Sequence, residues 1–110
     1  MANPMKGEAQ LRDHTLAFNF GVFCELEERT GKKMPQLIAS LVEGLGFGEL
    51  RDFVFVGLQE HHPGTGEDEV LSLLEDVGYK DATLAVSKAV GNFFGPQPKE
   101  KGKGPTKPAR

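Results

Sequence analysis

From Gly7 to Phe20 the segments GEAQLR and TLAFNF read as two short strands separated by Asp13 and His14, which suit a tight turn. In the second strand Leu16, Phe18 and Phe20 share one face and Ala17 and Asn19 the other. A two-stranded hairpin cannot bury three bulky groups by itself, so helices have to cover that face. From Asn19 to Thr30 the spacing lengthens to that of a helix, with Phe20, Phe23, Cys24 and Leu26 in one broad stripe opposite Glu25 and Glu28, and Gly31 placed to end it. Pro35 opens a second helix whose stripe is Leu37, Ile38, Leu41, Val42 and Leu45, up to the break from Gly44 to Gly48.

The third segment, Glu49 to about His61, is apolar on more than one side through Leu50, Phe53, Val54, Phe55, Val56 and Leu58. It suits a central helix, although its FVFV centre also fits a buried strand. After Pro63, Thr65 is the candidate cap of a fourth helix carrying Val70, Leu71, Leu74 and Val77, with Glu67, Asp68 and Glu69 at its positive end and Gly78 closing it. Asp81 then caps a fifth, whose stripe runs through Ala82, Ala85, Val86, Ala89, Val90, Phe93 and Phe94. The expected fold is therefore α+β and mainly α: an N-terminal β-hairpin, about five short helices, and a disordered basic C-terminal tail.

Composition sharpens this picture in two places. With 110 residues, 38% of them hydrophobic, the chain has material for one small core, assigned to residues 1–95. The formal net charge of −3 conceals an asymmetry, because the 96–110 segment PQPKEKGKGPTKPAR sets five cations against Glu100 and carries +4, leaving −7 on the rest. That segment has four prolines and no large apolar group, so burial cannot offset the entropy of ordering it. No apolar run approaches the roughly 20 residues of a membrane-spanning helix, and MANPMKGEAQ lacks a signal-peptide centre, which predicts a cytoplasmic protein.

Candidate chemistry is sparse. The adjacent His61 and His62 would project about 100° apart on a helix, whereas paired helical metal ligands want a spacing of three or four residues; a solvated helix end is the expectation. A lone cysteine cannot form an internal disulfide, and Cys24 falls on the stripe expected to be buried. The acidic clusters ELEE and EDE sit where charge favours a helix face or a helix N-terminus, and the glycines of EGLGFGEL lack the Lys-Ser or Lys-Thr of a phosphate cradle. No catalytic, cofactor-binding or metal-binding residues are assigned, and the chain is read as a non-enzyme.

The order of the segments carries more than any single residue. ANPMKGEAQL, then LAFNFGVFCELEERTGKKMPQLI, then RDFVFVGLQEHHPGTGEDEVLSLLEDVGY resembles the phage tail assembly chaperone family of gene transfer agents and related tailed phages. The resemblance spans Asn3 to Phe94, and its most specific pieces are Asn3, Pro4, Lys6, Gly7 and Glu8, then Cys24, Glu25, Leu26, Glu27, Thr30 and Gly31, then His61, His62 and Pro63. The short turn around Asp13 and the long basic tail depart from the family pattern.

The resemblance implies a non-catalytic assembly factor of the bacterial cytoplasm. It would coat the helical, apolar tape measure protein, help recruit tail tube protein around it, and self-associate along that partner. Such a task needs apolar grooves for amphipathic helices inside a charged rim. Phe47, Phe55, Phe93 and Phe94 are the candidate partner-binding residues, because more aromatic groups are present than one core face requires. Two rivals are a structural tail or head–tail component, and a small adaptor whose basic tail touches nucleic acid; the −7 body argues against specific nucleic-acid recognition.

Overall fold

The computed structural model of the chain describes residues 7–94, so the expected tail at 96–110 and the N-terminal positions Asn3, Pro4 and Lys6 lie outside the described residues. A hairpin of β1 (Glu8–Leu11) and β2 (His14–Ala17) is followed by α1 (Phe20–Thr30), α2 (Met34–Glu43), α3 (Phe47–Leu58), α4 (Glu67–Val77) and α5 (Tyr79–Phe94). This is the mainly helical α+β architecture that the hydrophobic pattern predicts.

The strands are antiparallel, with Glu8 opposite Ala17 and Leu11 opposite His14. The turn is therefore Arg12–Asp13, one position earlier than expected. Arg12 has φ 60°, and its guanidinium donates to the Asp76 carboxylate at 2.9 Å and to the Asp76 carbonyl at 3.1 Å. Tying the turn to the end of α4 brings a cation to the negative pole of that helix. Leu16, Ala17 and Phe18 are all buried, because α3 packs along β2 while α5 packs along both strands.

Asn19 ends the extended chain and caps α1, its Oδ1 accepting the Val22 N–H at 2.9 Å. The buried face of α1 is Val22, Phe23 and Leu26. Cys24, expected to be buried, is exposed, and Phe20 is 79% exposed. At about 100° per residue Cys24 lies roughly 160° round the helix from Leu26, and admitting Val22 to the stripe pushes both Cys24 and Phe20 off it.

In α2 Pro35 stands in the first turn as expected, and Leu37 is buried while Val42 is 82% exposed. The FVFV segment is helical: α3 packs against α1, β2, α4 and α5, and Phe53, Val54, Val56 and Leu58 are buried. Thr65 does not cap α4, because its hydroxyl donates to the His62 carbonyl at 2.6 Å; Gly66 takes the cap position and its N–H donates to Glu69 at 2.8 Å. Asp81 lies inside the first turn of α5 instead of preceding it.

Two close contacts fix the hairpin on this frame. A Cβ placed on Gly57 would lie 3.0 Å from the Phe18 ring, so the missing side chain lets β2 settle onto α3. Gly7, at φ 76°, accepts the Phe18 N–H at 2.9 Å, and a Cβ there would lie 2.4 Å from the Phe18 carbonyl oxygen.

Polar groups hold the helix ends. Arg29 of α1 donates through Nε to Asp52 of α3 at 2.7 Å, pairs through Nη2 with Glu67 at the start of α4, and lies 4.1 Å over the Phe55 ring. Glu49 pairs with Lys32 and accepts the Gly46 N–H at 3.2 Å. The Lys32 ammonium, and after it the Gly46 N–H, hold the Glu49 carboxyl below its ordinary value. A depressed folded value contributes stability above the unfolded value of about 4.3 and loses it as pH falls through the folded value. Urea midpoints are therefore expected to decline as pH drops below about 4.5, and Glu49→Gln is expected to make that decline shallower. An identical slope in the variant would remove Glu49 from the acid response.

Candidate functional site

The four candidate phenylalanines fall in three places. Phe47, in the first turn of α3, is 78% exposed and meets Tyr79 edge to face, with ring centroids 5.5 Å apart. Its trough of about 290 Å³ is lined by Phe47, Leu50, Leu71, Leu74, Glu75 and Tyr79, with the buried Leu50 as floor. Tyr79 is held rigidly, since its hydroxyl donates to the Leu45 carbonyl at 2.6 Å.

Phe93 and Phe94 meet at the end of α5, 5.2 Å apart, and Phe93 makes edge-to-face contacts with α1, 4.9 Å from Phe23 and 5.7 Å from Phe20. From Phe94 a second groove of about 290 Å³ runs between α2 and α5, lined by Ile38, Leu41, Val42, Ser87, Val90, Gly91 and Phe94. A Cβ on Gly91 would meet nothing within 4 Å, so the groove is open along that stretch. Phe55 belongs to neither groove. It is half-buried beneath Arg29, in a hollow it shares with Glu25, Glu28 and Val56.

Sequence reasoning missed Val42, Leu71, Tyr79, Leu84 and Phe20, all of them exposed apolar side chains. Val42 and Phe20 had been placed on buried stripes. Tyr79 carries a usable signal: it follows Gly78, the residue that closes α4, and so stands at a helix start with its ring directed back over the chain.

His61 and His62 lie just past the end of α3 with His61 exposed, as expected, but both also engage the hairpin. The Thr15 N–H donates to His62 Nε2 at 3.0 Å, His61 Nε2 lies 2.8 Å from Glu8 Oε2, and the rings of His14 and His62 are 4.9 Å apart. They fasten the hairpin to the end of α3. Among the described residues no group of three or more His, Cys, Asp or Glu is placed to hold a metal ion. The carboxylates expected to be solvated divide: Glu25 and Glu28 are exposed, whereas Glu27 accepts the Met34 N–H at 2.9 Å and Glu67 pairs with Arg29. No helix among the described residues is long and apolar enough to cross a membrane.

Two shallow apolar grooves walled by helices, the first with Glu75 in its lining, match the form that receives one face of an amphipathic helix. Set against protein-family models, curated proteins and solved structures, the chain matches none of them.

Proposed function

We propose that this protein is a non-catalytic tail assembly chaperone, acting in the bacterial cytoplasm, that binds the tape measure protein and promotes tail tube assembly of a phage-like particle. The observation that carries the reading is the exposure of Phe47, Leu71 and Tyr79 in one groove and of Val42 and Phe94 in the other, alongside the exposed Phe20 and Leu84. Contiguous exposed apolar surface is a liability in a soluble domain and is retained where something covers it. The acidic body keeps such a surface soluble between encounters.

Binding through shallow grooves suits a reversible partner, one that must release its client when tube subunits close around it. The tail tube protein and further copies of the chain are the other partners the reading assigns. Co-expression with the large helical protein encoded nearby, followed by affinity capture, is expected to recover a complex, and the chain is expected to be scarce in purified particles. Abundance in particles without capture would replace the chaperone by a structural tail or head–tail component.

A further inference from the structure

Charge separates the Phe47 groove from its counterpart. Helix α4 forms one wall and contains Glu67, Asp68, Glu69, Glu75 and Asp76 but no lysine or arginine. Three of these are engaged inside the fold: Glu67 with Arg29, Asp76 with Arg12, and Glu69 with the Gly66 N–H. Asp68 and Glu75 have no cationic partner among the described residues. Glu75 lines the groove one turn beyond Leu71, and both residues also line the adjoining hollow with Ser72 and Asp76. The apolar trough therefore has a carboxylate rim along its α4 side.

We infer that this groove receives an amphipathic helix carrying lysine or arginine along the edge that faces Glu75, its apolar residues at i, i+3 or i+4, and i+7 seated on Phe47, Leu71 and Tyr79. The inference deepens the chaperone reading and rests on it for the partner being an assembly protein; the place and the charge rule rest on the groove's own residues. A second copy docking through the same face would bring in another α4 that has five carboxylates and no lysine or arginine, so that helix offers Glu75 no cation. The chain's own basic segment at 96–110 has no large apolar side chain to fill the trough.

The probes are two synthetic amphipathic peptides of about five helical turns, identical in their leucine face, one flanked by lysine and one by glutamate. Fluorescence anisotropy at low salt with the full chain is expected to show the lysine peptide binding about tenfold more tightly, with the preference shrinking as salt rises. Glu75→Lys, an exposed substitution that leaves the core untouched, is expected to invert the preference. Phe47→Ser is expected to weaken the lysine peptide by about tenfold, while Phe94→Ser, in the other groove, leaves it unchanged. Equal binding of the two peptides, or loss with Phe94→Ser and not with Phe47→Ser, overturns the inference. So does a dimer in sedimentation that Phe47→Ser dissolves, because the occupant is then a second copy, and so does tighter peptide binding after deletion of residues 96–110, because it is then the chain's own tail. Capture of tape measure fragments separates the two claims. Peptide preference without capture sinks the chaperone reading alone, and capture unaffected by Phe47→Ser and Glu75→Lys sinks the groove assignment alone.

Discussion

Arg29→Met is expected to lower the unfolding free energy by roughly 2–3 kcal/mol, which for a domain of this size is a large fraction of the total. The substitution keeps much of the aliphatic stem but removes the guanidinium from Asp52, from Glu67 and from the face of the Phe55 ring. What remains is the Asp52 carboxylate, whose side chain is only 13% exposed, with Arg51 at 3.4 Å as its remaining cation. Stranding a buried charge costs more than the pair itself contributes, because the desolvation penalty stays after the attraction has gone. The double variant Arg29→Met with Asp52→Leu is therefore expected to recover most of the deficit. Urea denaturation of the two singles and the double measures the coupling, and a single Arg29→Met within about 0.5 kcal/mol of the parent would sink the claim that this residue staples α1, α3 and α4.

The second large effect is expected at Gly7. Gly7 and Gly31 have nearly the same backbone angle, φ 76° and 75°, but opposite surroundings. A Cβ at Gly31 meets nothing within 4 Å, so Gly31→Ala incurs only the left-handed strain of about 1 kcal/mol. At Gly7 the same methyl would press on the carbonyl oxygen of Phe18, a residue whose own N–H is bound to the Gly7 carbonyl, and lie 3.0 Å from the Phe93 Cβ. Neither neighbour is the free end of a flexible side chain, so the strand has to move. Gly7→Ala is expected to cost about 2–4 kcal/mol, well above Gly31→Ala measured under the same conditions. Equal losses at the two positions would show that the contact with Phe18 is relieved at little cost.

The regular elements were legible because their signals are local. Asn19 and Gly31 bracket α1, Pro35 opens α2, and the all-round apolar character of α3 marks it as the helix with most neighbours. Helix faces were less legible, because an apolar residue at the edge of a stripe is buried or exposed according to where the neighbouring helix sits, and no local rule states that. Phe20, Cys24 and Val42 are such residues. The histidine contacts were illegible for a related reason: Thr15 and His62 meet only after the hairpin folds back over a turn nearly fifty positions away. The candidate site was half-visible. Surplus aromatics pointed to Phe47 and Phe94, whereas the acidic rim required knowing which carboxylates of α4 were already engaged.

The docking of β1 against α5 has a consequence for how the chain reaches this structure. Asn92 donates to the Glu8 carbonyl at 2.9 Å, so the first described strand is completed by almost the last described turn. During synthesis α1 to α4 emerge with many of their mutual contacts available and with α3 ready to cover β2, while β1 waits without its main neighbour until α5 leaves the ribosome. For that interval the buried Ala9 and Leu11 of β1, the strand that packs against α5, are accessible to other chains. Removal of α5 would make the interval permanent, so a nascent chain stalled before Tyr79 is the form of this protein most prone to aggregate.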